Sequence, residues 1–350
     1  MPLQFSSLDA ILDHGFDDVI DVRSPAEFAE DHMPGAINLP ALDNAQRAEV
    51  GTIYKQVSAF DARKIGAGMV VRNVADHVDG PLQIKDGSWR PLIYCWRGGQ
   101  RSGVFRTILS EIGCRAETVK GCYMTYRRLV NGLLHDHPLP HRLILLDGYT
   151  GTAKTELLSR LLERQVQVLD LEGLACHRGS LLGAMPGGQP TQKSFESALA
   201  TALHQLDPSQ PVVVEAESSK IGRLNLPKSL WQAMLRAPRI VLDIPHAARA
   251  NYLANAYREV ISDADKLAEK LAPLRRLRGH AVVDRWISLS NEGALVELSH
   301  ALMVEHYDPA YAKSRRIDER TVVGTVEGAS LDQDGQNCLA DKIAKLVNAQ

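Results

Sequence analysis

Apolar and polar positions change period several times along the chain, and the changes mark out its elements. Up to about residue 130, short runs rich in β-branched and aromatic residues, Asp17–Val22 (DDVIDV), Arg90–Cys95 (RPLIYC) and Arg115–Lys120 (RAETVK), alternate with helical patterns at Pro25–His32 and Ser102–Ile112. Strand and helix in alternation predict an α/β unit on a parallel sheet. His135–His141 (HDHPLPH) carries two prolines and three histidines, breaks both periods and reads as an exposed linker. Beyond it, an apolar strand, a glycine-containing turn and a helix with leucines at helical spacing form one strand–loop–helix unit from Arg142 to Arg164. Further strands at Val166–Leu171, Pro211–Ser218 and Arg239–Pro245, separated by helical stretches, predict a second such domain, with one long helical pattern from Ala247 to about Leu277. The fold class is therefore α/β, in two three-layer domains: residues 1–134, a linker at 135–141, and residues 142–350.

Composition agrees with two cores: 350 residues, of which 45% are hydrophobic and 23% charged. A net charge of −2, from 40 Lys+Arg and 42 Asp+Glu, argues against a uniformly basic surface for nucleic acid but leaves room for local basic patches. No apolar run approaches the ~18 residues of a membrane span, and MPLQFSSLDA lacks the basic-then-apolar order of a signal peptide, so no membrane partner and a cytoplasmic location are expected. Five cysteines, Cys95, Cys114, Cys122, Cys176 and Cys338, form no paired CxxC knuckles, so neither a disulfide framework nor a zinc site is expected and no metal ligands are assigned.

The run Arg90–Cys95 leads straight into Trp96-Arg97-Gly98-Gly99-Gln100-Arg101-Ser102 and a helical pattern. A thiol at a strand's C-terminal end, wrapped by a glycine-bearing loop, faces backbone N–H groups and the positive end of the next helix. Both lower its pKa and hold an anion or a terminal chalcogen beside it. Arg97 and Arg101 add charge-assisted hydrogen bonds to such an anion. With Asp21-Val22-Arg23 and His32–Asn38 as the landmarks upstream, this stretch resembles a rhodanese domain, in which the cysteine carries a persulfide or perselenide. The commoner rhodanese loop reads CxxGxR, whereas five residues separate Cys95 from Arg101 here, the CX5R spacing of tyrosine and dual-specificity phosphatases. A phosphatase therefore stays open as an alternative, although Tyr94 stands where those enzymes usually place histidine and no general acid is evident nearby. The longer loop is expected to take a tetrahedral phosphorus donor such as selenophosphate. Cys122, just after the third strand run, either packs as a small buried hydrophobe or approaches Cys95 as a resolving thiol.

Gly148-Tyr149-Thr150-Gly151-Thr152-Ala153-Lys154-Thr155 fits GxxxxGK[ST] except that Ala153 replaces the last glycine. Between a strand and a helix, its backbone N–H groups and Lys154 would converge on a diphosphate, and Thr155 would hold Mg²⁺ where one is bound. The Ala153 methyl narrows the cradle or shifts its backbone, which favours binding over fast hydrolysis. Glu215 or Glu217 ends the following apolar strand where a metal-holding aspartate is usual; pairing with Arg223 or Lys220 is the structural alternative.

These segments, followed by Leu169–Leu174, His177-Arg178-Gly179-Ser180, Gln189–Glu196 and Glu215–Gly222, resemble in their order the tRNA 2-selenouridine synthase family over nearly the whole chain. The resemblance implies an N-terminal rhodanese-like domain, a C-terminal P-loop NTPase-like domain and transferase activity on tRNA. It implies S-geranylation of wobble 2-thiouridine by geranyl diphosphate, then replacement of the geranylthio group by selenium from selenophosphate through a perselenide on Cys95. No tightly bound cofactor is implied, and an enzyme that makes selenophosphate is the implied protein partner. His177, Arg178, Ser180 and Glu217 become candidates for phosphate or tRNA contact, with a helix cap as the bland reading of the first three. Between Arg236 and Arg285 the chain holds 10 Lys+Arg and 6 Asp+Glu, including Arg275, Arg276 and Arg278, with Tyr252, Tyr257 and Trp286 as candidate stacking surfaces. Arg127-Arg128 and Arg315-Arg316 are weaker candidates. A sulfurtransferase coupled to a nucleotide-dependent kinase or sensor, and a rhodanese-like RNA-binding scaffold, are the competing readings.

Overall fold

The computed structural model describes residues 1–179, 183, 185–258, 263–315 and 321–350. Contacts divide them into two units, one of Met1–His137 with Thr191–His204, the other of Pro138–Pro190 with Gln205–Gln350.

In the first unit a parallel sheet runs in the order β2 (Ile37–Asn38), β1 (Asp18–Asp21), β3 (Pro91–Tyr94), β4 (Glu117–Thr118). Every residue of β3 is buried, as an inner parallel strand requires. The Asp21-Val22-Arg23 run is explained here. Arg23 donates through Nη2 to the Asp21 carboxylate and to the Asp31 carbonyl, each at 2.6 Å, and its guanidinium lies 3.9 Å from the centre of the Tyr123 ring. The Tyr94 hydroxyl donates to the same Asp21 carboxylate at 2.8 Å. A buried ion pair persists when hydrogen bonds and a π-face replace the lost water.

The helix Gln192–His204 belongs to this first unit, which corrects the expected single division at 135–141. Its Glu196 accepts from Arg127 at 2.5 Å, Ser197 donates to Asp31 at 3.0 Å and Lys193 pairs with Glu30 at 2.6 Å. Helical period alone does not say which sheet a helix serves; these partners lie far upstream. The unit boundary between His137 and Pro138 falls within the expected linker, whose residues 136–138 are exposed, but its two ends are structured. Gly132–Asp136 is a π-helical turn, His135 sits 3.4 Å from Glu196, and His141 is buried.

In the second unit all five strands of the main sheet are parallel, in the order β11-β10-β5-β7-β6: β5 (Arg142–Asp147), β6 (Gln167–Leu169), β7 (Pro211–Glu215), β10 (Arg239–Asp243) and β11 (Val322–Glu327). A short antiparallel pair, β8 (Lys220–Ile221) and β9 (Leu224–Asn225), stands apart. Leu146, Leu157, Val213, Leu242 and Ile343 share the core around β5. Strand β11 escaped the sequence reading because it is an edge strand with only Val326 fully buried. The long helical pattern from Ala247 is not one helix: it gives His246–Ala256, Ala264–Leu271 and Arg275–Arg278, the last two separated by a 3-10 turn holding Pro273. Among the described residues no helix is long and apolar enough to cross a membrane.

Candidate functional site

Cys95 lies at the C-terminal end of β3, and its loop turns through Gly98 and Gly99, both at φ 74°, into the helix Gln100–Ile112. That left-handed pair needs residues without a Cβ. The thiol is buried, with Cys122 Sγ at 3.4 Å and Ser102 Oγ at 3.5 Å. A hydrogen bond from the Cys122 thiol, opposed by burial and helped by the Ser102 hydroxyl and N–H and by the charge of Arg101, holds the Cys95 pKa well below a thiol's ordinary value. Of the two arginines expected on an anion, Arg101 is already engaged: it donates to Glu27 at 2.8 and 3.3 Å, while Arg97 is exposed. Glu27 was not singled out, because its partner lies 74 residues downstream. Tyr94, where a phosphatase usually has histidine, is fully buried and its hydroxyl is engaged by Asp21.

In the second unit, Gly148–Thr155 joins β5 to the helix Lys154–Leu162. A Cβ on Gly151 would sit 2.7 Å from the Leu253 side chain, and one on Gly148 would sit 2.5 Å from Thr152 Oγ1, so both glycines are required sterically. Ala153 adopts φ 55°, ψ 36°, the left-handed conformation that suits glycine. Ala153→Gly should therefore relieve about 1 kcal/mol of strain and raise Tm by about 2–4 °C in a thermal unfolding scan. An unchanged or lower Tm would show that the loop accommodates the methyl without cost.

Lys154 Nζ donates to the Gly148 carbonyl at 3.2 Å. Burial works against its charge, but Tyr311, Glu217, Glu172 and Glu215 outweigh burial and raise its pKa. Thr155 Oγ1 donates to Glu172 at 3.2 Å, and a Cβ on Gly179 would lie 2.5 Å from Glu172 and 2.9 Å from Glu217, which explains that glycine. Glu215 is buried, accepts from the Leu171 N–H at 3.0 Å, and is driven well above its ordinary pKa by burial and by Asp170. The expected alternative pairing of Glu215 or Glu217 with Arg223 is corrected, since Arg223 donates to the Gln189 and Pro190 carbonyls. Among the described residues no group of three or more His, Cys, Asp or Glu is placed to hold a metal.

The loop opens on a cleft of about 910 Å³, whose lining includes Trp231, Tyr252, Leu253, Tyr257 and Tyr311 along with the acidic Glu156, Asp170, Glu172 and Glu217. Arg249, which sequence reading counted only as basic charge, is buried there; it donates to the Thr150 carbonyl at 2.7 Å and pairs with Asp308 at 2.6 Å. It anchors the phosphate loop.

Family models match both units: a rhodanese-like domain at residues 5–128 and a tRNA 2-selenouridine synthase AAA domain at 141–272. A tRNA 2-selenouridine synthase from Aeromonas salmonicida is 34% identical over 332 residues, 84% of this chain and 87% of that protein. One from Pseudomonas syringae is 33% identical over 326 residues, 85% of this chain and 88% of that protein. The chain belongs to the tRNA 2-selenouridine synthase family. Within that family assignment, the remaining candidates separate by position. Arg178 lines the P-loop cleft, donates to the Ala256 carbonyl at 2.9 Å and lies 4.9 Å from the Tyr257 ring centre. His177 accepts from the Gly179 N–H at 3.1 Å, and burial lowers its pKa. Ser180 and the two residues after it, on which the helix-cap reading rests, lie outside the described residues. Arg275 pairs with Asp284 at 2.5 Å, Arg278 donates to the His306 carbonyl at 3.1 Å, and Arg276 is exposed. Trp286 is not a stacking surface: it is fully buried in a helical core and donates to Glu305 at 2.9 Å. Arg127 is likewise internal, and Arg316 falls outside the described residues.

Burial and Glu217 push the Glu172 carboxyl up to about 8 from an ordinary 4.5. The folded protein thus holds this proton more tightly than the unfolded chain does. Its stabilising contribution is full below about pH 4.5 and is lost as pH rises through 8. Glu172→Gln should flatten the dependence of Tm on pH in that window, with its largest gain over the native protein at alkaline pH. Parallel Tm curves for the two proteins would refute the assignment.

Proposed function

We propose that this chain S-geranylates wobble 2-thiouridine in tRNA with geranyl diphosphate and then exchanges the geranylthio group for selenium from selenophosphate. The observation that carries this reading is the cleft, which is lined both by a phosphate loop and by aromatic and aliphatic side chains. A prenyl diphosphate has that shape: an anionic head for Lys154 and the loop N–H groups, and a hydrocarbon tail for Trp231, Tyr252 and Leu253. In the first reaction the thione sulfur attacks C1 of the chain, the S–C bond forms, and the C–O bond breaks with its electron pair leaving on diphosphate. Lys154 stabilises that charge, and the N3 proton is released. Mg²⁺, where bound, would be held by Thr155 and Glu172, whose oxygens already face each other, and would neutralise diphosphate charge.

In the second reaction selenium enters C2 and geranylthiolate leaves. Selenium has the same oxidation level in selenophosphate and in a selenocarbonyl, so the exchange needs no reductant, whereas a perselenide route would need one. Electron count therefore favours a refinement of the perselenide expectation. The Cys95 thiolate attacks phosphorus, the S–P bond forms, and the P–Se pair leaves as selenide; water then frees the thiol as phosphate departs. The five-residue loop between Cys95 and Arg101 suits a tetrahedral phosphorus centre. Arg178, Arg276 and their neighbours are the surface offered to tRNA phosphates.

Mass spectrometry of tRNA nucleosides after incubation with geranyl diphosphate, and then with selenophosphate, tests the proposal. The expected products are S-geranyl-2-thiouridine followed by 2-selenouridine; formation of neither would reject it.

A further inference from the structure

Beyond its contact with the Cys95 thiol, Cys122 takes no part in the chemistry above, yet its place in the fold is unusual. It opens the helix Cys122–Asn131 at φ 55°, a left-handed conformation that a residue with a Cβ adopts only at a cost of about 1–2 kcal/mol. Gly121, immediately before it, is also left-handed, at φ 75°. A second glycine would fit the turn without strain. The side chain that takes the strained position is instead fully buried, with Sγ 3.4 Å from Cys95 Sγ and 3.7 Å from Ser102 Oγ. The backbones are tied together as well, since the Tyr123 N–H donates to the Cys95 carbonyl at 3.0 Å. A disulfide needs the two sulfurs to close from this contact to about 2.05 Å. Strain retained at a site that places two thiols in contact points to use of the second thiol.

We propose that Cys122 is the resolving thiol of Cys95 and that the pair is a dithiol–disulfide switch, by which hydrogen peroxide reversibly withdraws the reactive thiolate. The peroxide oxygen is attacked by the Cys95 thiolate: the S–O bond forms, the O–O bond breaks, and hydroxide leaves. Cys122 then attacks Cys95 Sγ, the S–S bond forms, and the sulfenic oxygen leaves as water with the Cys122 proton. Two cysteine sulfurs are oxidised by two electrons in all, and one peroxide is reduced to hydroxide and water. An external dithiol reopens the bond. The asymmetry of the site gives each thiol its part. Cys122 donates its hydrogen bond to Cys95 and is itself held well above the ordinary thiol value, chiefly by that bond. The thiolate is therefore on Cys95, which meets the oxidant first.

The test is to treat the reduced full-length protein with a few molar equivalents of hydrogen peroxide, since sulfinic acid consumes two per thiol, and map peptides without reduction. The native chain should yield a Cys95–Cys122 crosslinked peptide, lost again on adding dithiothreitol. Cys122→Ser should yield no crosslink and should instead accumulate irreversible sulfinic acid at Cys95, as should Cys122→Gly, which removes the thiol while easing the backbone. Sulfinic acid at Cys95 at the same rate in native and variant chains would overturn the proposal. So would crosslinks to Cys114 or Cys338 in place of Cys122, or oxidation of Cys338 while Cys95 and Cys122 stay reduced. The readout involves neither tRNA nor selenium, so it stands or falls separately from the proposed function.

Discussion

Cys95→Ala will abolish formation of 2-selenouridine while geranylated tRNA continues to form and accumulates. The thiol is the only group at the end of β3 that can act as a nucleophile at ordinary pH: it receives hydrogen bonds from Cys122 and Ser102, its pKa is depressed, and Tyr94 below it is bonded to Asp21. Cys95→Ser is the sharper variant, because it keeps the size and the hydrogen-bonding of the site but offers a hydroxyl that stays un-ionised. Both variants should leave 2-selenouridine below detection in nucleoside mass spectrometry, with geranylation within about twofold of the native rate, since the thiol makes and breaks no bond in that step. Selenouridine from either variant would remove Cys95 from the reaction. Equal loss of both products would mean that the thiol supports binding of tRNA and not the exchange.

Lys154→Ala should do the opposite, lowering geranylation by about 10²–10³-fold, the usual loss when a donor to a developing anion is removed from a preorganised site. The lysine is half-buried and its charge is maintained by four surrounding acidic groups, which makes it the principal cation of the phosphate loop. Most of the loss should appear in kcat, because charge on the diphosphate oxygen grows as the C–O bond breaks. Supplied with tRNA that is already geranylated, the same variant should form 2-selenouridine at close to the native rate. Failure on that substrate would mean that the phosphate loop serves the selenium step as well.

How much of this was readable beforehand follows from the range of each interaction. The cysteine loop and the phosphate loop are contiguous, eight residues each, from Cys95 to Ser102 and from Gly148 to Thr155, and their spacing carries their geometry. Strands β1, β3, β5, β7 and β10 were legible because buried parallel strands read as apolar runs. The distant partners that finish the sites were less so: Glu27 and Arg249 are not evident as partners, and the approach of Cys122 to Cys95 is only one of two readings. Glu27 reaches Arg101 across 74 residues, Arg249 reaches Thr150 across 99, and Cys122 reaches Cys95 across 27. Basic residues posed the same difficulty in reverse, because Arg127, Arg249 and Arg275 count as surface charge in a tally, yet each is bound to a carboxylate in the folded chain.

By itself the sequence determined two α/β units, a reactive thiol at a strand end, a phosphate loop with alanine in a glycine position, and the order of segments that marks the family. Those features rest on local period, backbone conformation and spacing, which neighbouring residues dictate. Tertiary structure alone decided that Thr191–His204 returns to the first unit, that aromatic and aliphatic side chains line the same cleft as the phosphate loop, and that a second thiol sits 3.4 Å from the first. Each of these depends on which distant surfaces pack together, and packing is a property of the closed chain, not of any stretch of it.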